Sequence, residues 1–484
     1  MHHFKSKNPI WCSYKFLLAG MLFCFCSIKA QNIQNKIIHS SITRSDSIIV
    51  HYLHNDWNVN FSQNNSIVIF KNGQEKFDDL FKSIRSAQKS IHLEYFNFRN
   101  DSISKELFSL LAERAKNGVK VRALFDGFGN SSNNRPLRKK HLKALQEVGI
   151  EIYEFDPLRF PYINHALHRD HRKIVVIDGC IAYTGGMNVA DYYIKGKPKF
   201  GDWRDIHARV EGDAVGNLQG IFIKFWNETT GQSVSGPEYY PGEHAARNSF
   251  PMLSQDTSTT AGHQKVGVID RNPRISPRII HDTFVKAIDN AHSQIQIINP
   301  YLTLCRHIKR SLKKAIKRGV DIQIMVSAKS DIPITPRIVE YNVNKLMKYG
   351  AKIYFYEGGF HHSKIMMVDS IYSFIGSANL NSRSLSFDYE CNLLIADIPT
   401  TQTLQRIFET DKLTRCFQLT PERWKQFGRW KHFKGWLFHF LTPFVRQENK
   451  QKTINRQIAK LSPLFIQEKT EQPQPALKNN KTTR

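Results

Sequence analysis

Beyond its first thirty residues the sequence has no run approaching the roughly 20 apolar residues that a membrane-spanning helix needs, which excludes a polytopic membrane protein. Cysteine is scarce. There are 7 in 484 residues, and Cys12, Cys24 and Cys26 lie at the amino terminus. The other four, Cys180, Cys305, Cys391 and Cys416, are scattered without metal-ligand spacing. That pattern excludes a cysteine-built zinc module and leaves open one disulfide whose pairing the sequence does not give. Acidic residues are also in short supply: 42 Asp and Glu face 69 Lys and Arg, a net charge of +27. Such a surplus calls for an anionic partner, which composition alone leaves as nucleic acid, a phospholipid surface or a phosphorylated substrate. At 41% hydrophobic and 23% charged, the chain is globular rather than disordered, and its length suits two or three domains.

Residues 1–30 read as a signal peptide or a short membrane anchor. Lys5, Lys7 and Lys15 precede an uncharged apolar run from Phe16 to Ile28, and Ala30 offers a cleavage point before Gln31. Either reading puts the bulk of the chain outside the cytoplasm. After a lead-in at 31–64, the sequence repeats itself. Residues 86–126 and 290–326 share one pattern: helix end, apolar strand, loop, amphipathic helix, glycine, apolar strand. Gly118 and Gly319 punctuate matching helix ends, and VGIEIYEF (148–155) answers YGAKIYFYE (349–357). Strands alternating with helices predict an α/β fold of two related lobes, at 65–240 and 266–445. A polar linker at 241–265 joins them, and a basic tail at 446–484 follows.

Each lobe carries the same signature, H-x-K-x-x-x-x-D: His171, Lys173 and Asp178 in the first, His362, Lys364 and Asp369 in the second. Each is followed by a small-residue turn ending in asparagine, Gly185 to Asn188 and Gly376 to Asn379, and then by a carboxylate, Asp205 or Glu390. The apolar run after each lysine reads as a buried strand, so the histidine and the lysine two residues on project to one side. An ammonium and an amide beside an imidazole suit a phosphate group: two hold its oxygens, and the third can attack phosphorus or move a proton near neutral pH. Recurrence of the whole pattern inside a repeat exceeds what chance supplies.

At these residues the sequence resembles the phospholipase D superfamily, and among its members the bacterial cardiolipin synthases, over residues 65–445. The resemblance rests on HRDHRKIVVIDGCIAYTGGMNVADYY (168–193), WRDIHARVEG (203–212), HHSKIMMVDSIYSFIGSANLNSRSL (361–385) and the aromatic GWLFHFLTPF (435–444). It implies two pseudo-symmetric lobes sharing one active site at their interface, without metal or other cofactor. It implies that His171 attacks phosphorus to form a phosphohistidine while His362 serves as acid and base. Lys173, Lys364, Asn188 and Asn379 would hold the phosphate, and Asp205 and Glu390 would orient the histidines. The motif aspartates Asp178 and Asp369 belong to the hallmark set, but an apolar strand separates them from it, which suits fixing loops better than touching substrate. The implied reaction joins two phosphatidylglycerols into cardiolipin and glycerol. Hydrolysis of a phospholipid headgroup is the alternative, followed by a phosphodiesterase acting on nucleic acid and by a non-enzymatic lipid-binding scaffold.

The expected partners are phospholipid substrates and an anionic membrane surface rather than nucleic acid, and the expected unit is a monomer. Residues 421–445 interleave Trp424, Trp430, Trp436, Phe433, Phe438 and Phe440 with lysine and arginine. Such a segment suits an anionic lipid interface or an aromatic stripe packed on the second lobe. Residues 421–484 hold 14 Lys and Arg against 4 Glu, so much of the basic excess collects at the carboxyl end.

Overall fold

The computed structural model describes residues 48–160, 168–241, 262–333 and 335–428, with Phe433 and Leu437. The targeting segment 1–30, nearly all of the linker and the basic tail lie outside the described residues, as does most of the aromatic stretch after Gly428.

The first lobe contributes β1 (Phe61–Phe70), β2 (Ser90–Tyr95), β3 (Lys120–Asp126), β4 (Ile150–Phe155), β5 (Ile174–Ile177), β6 (Ile181–Gly185), β7 (Asp202–Arg204) and β8 (His207–Gly212). The second contributes β9 (Gln264–Arg271), β10 (Gln294–Ile298), β11 (Asp321–Ser327), β12 (Lys352–Tyr356), β13 (Gly359–His361), β14 (Ile365–Val368), β15 (Tyr372–Gly376), β16 (Glu390–Ala396) and β17 (Cys416–Gln418). Fifteen of these strands form one sheet, in the order β17-β12-β11-β10-β14-β15-β16-β9-β1-β8-β6-β5-β2-β3-β4. Read outward from the β1–β9 seam, the two halves follow the same order, and β17 adds an edge to one of them. Within each half the three outer repeat strands are parallel and the rest antiparallel.

The local chemistry follows the repeat. The parallel strands other than the edge strand β4, and the strands after each lysine, are buried along nearly their whole length, as IVVI and IMMV require. The helix Arg306–Lys317 buries Ile308, Ser311, Leu312 and Ala315 and turns its lysines outward. Gly118 and Gly319 end matching helices at φ of 87° and 92°, a left-handed conformation that costs glycine little.

Each lobe has its own apolar core, and a third core lies across the seam. That third core gathers Ile67, Ile174, Val210, Val266, Ile365 and Leu393 from both halves with residues of the helices Ala214–Thr230 and Ile398–Arg415. The cysteines Cys180, Cys305, Cys391 and Cys416 are all free thiols. None of the described helices is long and apolar enough to cross a membrane.

The segment expected to be a plain lead-in is structural instead. Residues 48–57 are helical, and Ile49, Leu53 and Val59 enter the core of the second lobe, not the first. Ile49 and Leu53 stand one helical turn apart, and a stripe of a single turn is too short to read as a helical period. At the other end, the helix Pro421–Gln426 sends Trp424 against the same core, with Phe427 beside it. The start of the aromatic segment therefore packs on the second lobe.

Buried amides bolt the seam. Asn65 donates to the Gln264 carbonyl at 2.9 Å and accepts from the Ala214 N–H at 2.9 Å. The Gln264 side chain accepts from the Ile67 N–H at 2.8 Å and donates to Thr400 at 2.9 Å. Asn65→Ala would strand these buried groups, so the substitution is expected to cost about 3 kcal/mol in urea unfolding. A loss below about 0.5 kcal/mol would show that the seam does not depend on this amide.

Candidate active site

The two motifs meet where the halves face each other. Ahead of each motif strand a short extended segment reaches across and pairs with the opposite lobe. Asp170 bridges to Tyr389, and the His171 N–H donates to the Tyr389 carbonyl at 3.0 Å. In the matching position β13 pairs with β7, and the His362 N–H donates to the Arg204 carbonyl at 2.7 Å. Tyr389 and Arg204 are the residues immediately before Glu390 and Asp205. Each histidine is thus threaded beside the carboxylate of the other half.

The side chains complete that exchange. His171 Nδ1 lies 3.1 Å from both oxygens of Glu390, and His362 Nδ1 lies 2.7 Å from Asp205 Oδ2. A carboxylate at Nδ1 fixes the tautomer with its proton there and leaves the Nε2 lone pair for chemistry. Lys173 Nζ donates to the His171 carbonyl and Lys364 Nζ to the His362 carbonyl. Lys364 Nζ also lies 2.8 Å from His362 Nδ1 and 3.1 Å from Nε2. Since Asp205 takes the Nδ1 proton, the ring atom left to accept from this ammonium is Nε2.

Asn188 and Asn379 follow the turns that pack against these carboxylates. Both are buried, and the side-chain oxygen of each lacks a hydrogen-bond partner among the described residues. A phosphodiester has no proton to give those oxygens, so the part of each amide that can meet its oxygens is the Nδ2 donor. The turns differ in one respect. A Cβ on Gly186 would sit 2.2 Å from Asp205 Oδ1, whereas Ser377, in the corresponding position, donates its hydroxyl to Glu390.

Burial governs the electrostatics. It lowers the His171 pKa to about 4 against the opposing pull of Glu390, and it lowers His362 with help from Lys364. It brings Lys173 down to about 7 and Lys364 to about 8. Burial works against ionisation of Asp205, yet Lys364 and His362 hold its carboxyl at about 2, and His171 and Lys173 likewise keep Glu390 below its usual range. The site therefore presents two anchored carboxylates, two neutral imidazoles and two ammonium groups that give up protons readily.

Asp178 and Asp369 belong elsewhere. Both lie past the far ends of β5 and β14, where they adopt φ of 53°. Asp178 accepts the N–H groups of Gln88, Lys89 and Ser90 at 2.7–2.9 Å, and Asp369 those of His292, Ser293 and Gln294 at 2.7–3.0 Å. As members of the catalytic set they are corrected to loop fasteners, because five steps along an extended strand set them roughly 16 Å from the lysines.

Several contributors were missed in the sequence. Phe96 sets its edge on His171, with ring centroids 5.1 Å apart, while Trp203, Phe360 and Tyr301 surround His362 at 5.5–5.7 Å. Only Ser377 carried a signal, as the polar departure from Gly186 in the repeated turn.

A seam-spanning sheet that brings paired histidines and lysines together, each histidine on a carboxylate of the opposite lobe, defines the two-lobed phospholipase-D-like class of phosphodiester enzymes. Comparison with known proteins agrees. A family model described as cardiolipin synthase, PLD-like domain, matches twice, at residues 80–195 and 284–412. Cardiolipin synthase 2 of Staphylococcus epidermidis is 36% identical over 383 residues, 79% of this chain and 75% of that one. A cardiolipin synthase of Listeria welshimeri is 32% identical over 409 residues, 84% and 80% of the two chains. The crystal structure of a phosphatidylserine synthase from Haemophilus influenzae shares the fold, with a TM-score of 0.60 at 14% identity over 85% of this chain and 99% of that one. The chain belongs to the cardiolipin synthase family.

Two outcomes test this assignment of parts. Glu390→Gln and Asp205→Asn should each lower kcat by about 10²–10⁴-fold with little change in melting temperature. Asp178→Ala should keep its rate per folded molecule and lose about 1–3 kcal/mol of stability. The reverse pattern would return Asp178 to the chemistry. In a pH series, kcat/KM should fall as pH rises through 7 to 8, because the depressed lysines lose the charge that attracts phosphate, and again below about 4, where His171 takes up a proton. An alkaline limb beginning only above about 10, the ordinary lysine value, would remove both lysines from phosphate binding.

Proposed function

We propose that the protein makes cardiolipin by a two-step exchange through His171, and the crossed pairing of each histidine with the other lobe's carboxylate carries this reading. His171 Nε2 attacks the phosphorus of phosphatidylglycerol. The phosphorus–oxygen bond to glycerol breaks, and His362 gives its Nε2 proton to the departing oxygen. A hydroxyl of a second phosphatidylglycerol then loses its proton to His362 and attacks the phosphohistidine. The phosphorus–nitrogen bond breaks, and cardiolipin leaves.

His171 suits the attacking role because its Nδ1 is shared by both Glu390 oxygens, with burial keeping the ring neutral. His362 suits proton transfer because burial lowers its proton affinity and two opposed charges then adjust it. Asp205 raises it and Lys364 lowers it. A phosphate bound at Lys364 offsets that ammonium, so His362 gains a proton when substrate arrives. The lysines and the asparagine amides supply donors to the phosphoryl oxygens, whose charge grows in the transition state.

The lipid substrate places this reaction at a membrane surface. The net basic charge and the aromatic–basic interleaving after Pro421 support an anionic lipid face, and the apolar run from Phe16 to Ile28 supports an extracytoplasmic location.

Incubation with phosphatidylglycerol vesicles, followed by mass spectrometry of the lipids, should yield cardiolipin and glycerol, and His171→Ala should yield neither. Phosphatidic acid in place of cardiolipin would make the protein a hydrolase. In His362→Asn, intact-mass measurement should reveal a phosphatidyl adduct that His171→Ala lacks. An adduct retained in His171→Ala would sink the assignment of the nucleophile.

A further inference from the structure

The two histidines stand against unlike walls. Beside His171 the neighbouring rings are phenylalanines, Phe96 and beyond it Phe128, with centroids 6.4 Å apart. Beside His362 the wall is polar at its outer edge. The Tyr301 ring lies edge-on to the imidazole at 5.7 Å, and its hydroxyl donates to Asp331 Oδ1 at 2.6 Å. Asp331 is exposed, and its charge reaches both His362 and Lys364. Trp203, also 5.7 Å from His362, packs tilted against Tyr192 at 4.3 Å, and Lys197 Nζ sits 4.4 Å from the first ring and 4.1 Å from the second. Lys197 lies within the field of Asp331, so these five side chains form one cluster at the edge of the site.

Displacement at phosphorus places the leaving oxygen opposite the attacking nitrogen. With His171 attacking, the alcohol that departs or enters must lie on the His362 side, against this cluster. A hydroxyl group both donates and accepts a hydrogen bond, whereas an alkylammonium only donates. Asp331 offers an acceptor and Lys197 a donor, which together fit a hydroxyl. The faces of Tyr192 and Trp203, which could otherwise cradle a ligand ammonium, already hold the chain's own.

We propose that Lys197, Asp331 and Tyr301 form the alcohol subsite, which selects a neutral polyol headgroup over an aminoalcohol. The inference rests on the transferase reading with His171 as nucleophile, and it explains which acceptor that reaction takes. Glycerol and ethanolamine make the discriminating pair. Both attack through a hydroxyl oxygen, and they differ in what the subsite meets at the far end of the molecule.

The test supplies phosphatidylglycerol vesicles with equal concentrations of deuterated glycerol and ethanolamine, and measures deuterated phosphatidylglycerol, phosphatidylethanolamine and cardiolipin together. The wild-type protein should favour glycerol by about tenfold or more, and Lys197→Met should move that ratio about tenfold toward ethanolamine. Lys197→Arg should keep the wild-type preference, and Asp331→Asn should weaken glycerol capture. The ratio is internal to each reaction, so partial loss of folded protein does not disturb it. A wild-type protein that makes cardiolipin yet takes ethanolamine as readily as glycerol overturns the subsite, as does an unchanged ratio in both Lys197→Met and Asp331→Asn. A wild-type protein that makes no cardiolipin overturns the transferase reading beneath it.

Discussion

Everything in this active site depends on carboxylates crossing the β1–β9 seam. Neither lobe holds a complete catalytic pair: His171 needs Glu390 from the second, and His362 needs Asp205 from the first. An imidazole buried without such a partner would lose its orientation and tautomer. A buried carboxylate without its imidazole and ammonium would be costly to keep ionised. The lobes are therefore bound to each other by their chemistry as well as by their sheet. The amides of Asn65 and Gln264 at the seam and the helix at 48–57, which precedes the first lobe in sequence but packs in the core of the second, serve the same end.

Charge inside the molecule is organised around this crossing. Behind the first motif, Arg172 is buried among Glu94, Asp170 and Asp270, and its 2.6 Å contact to Asp270 joins the first lobe to β9 of the second. Arg169 meets Asp126 and Asp156 at 3.0 Å. Removing one member of such a cluster leaves an uncompensated charge in a medium of low polarity, so these groups hold the segment carrying His171 in one place. The second motif has Ser363 where the first has Arg172, and a different cluster stands beside it, with Asp411 2.6 Å from Arg204 and 3.4 Å from His361. The pseudo-symmetry is thus one of backbone and catalytic atoms, while the supporting shells have diverged. Ser377 against Gly186, and phenylalanine against the Tyr301–Asp331 pair, continue that divergence into the site. Two histidines of similar placement can take different parts in a reaction because their neighbours differ.

Much of this was legible in the sequence, for a definite reason. The repeat of strand, helix and glycine encodes local structure, and local structure repeats wherever the pattern does. The spacing of His171 to Lys173 and of His362 to Lys364 places both groups of each pair on one short extended segment whatever the tertiary fold. Asp178 and Asp369 show how far that reasoning reaches. An apolar strand of four residues after each lysine already set them apart, and the structure shows what they do there, each fastening three backbone N–H groups of the loop before a neighbouring strand.

Partnership across the chain was not legible. The sequence supplied two histidines and two carboxylates without saying which belonged to which, and order along the chain would have paired them within each lobe. An antiparallel seam between β1 and β9 reverses that. It sets the lobes face to face about a pseudo-twofold, so the segment before each motif strand pairs with the one before the opposite carboxylate. The same holds for the rings around His362. Trp203 comes from one half and Tyr301 from the other, and no period or spacing connects them. The sequence by itself determined the two α/β lobes, the phosphate-handling groups and their duplication, because these depend on contacts between near neighbours in the chain. Tertiary structure alone decided the crossed pairs, whose members lie 219 and 157 positions apart and are brought together by the seam, and the unlike walls of the site, whose rings come from separate elements that no local pattern links.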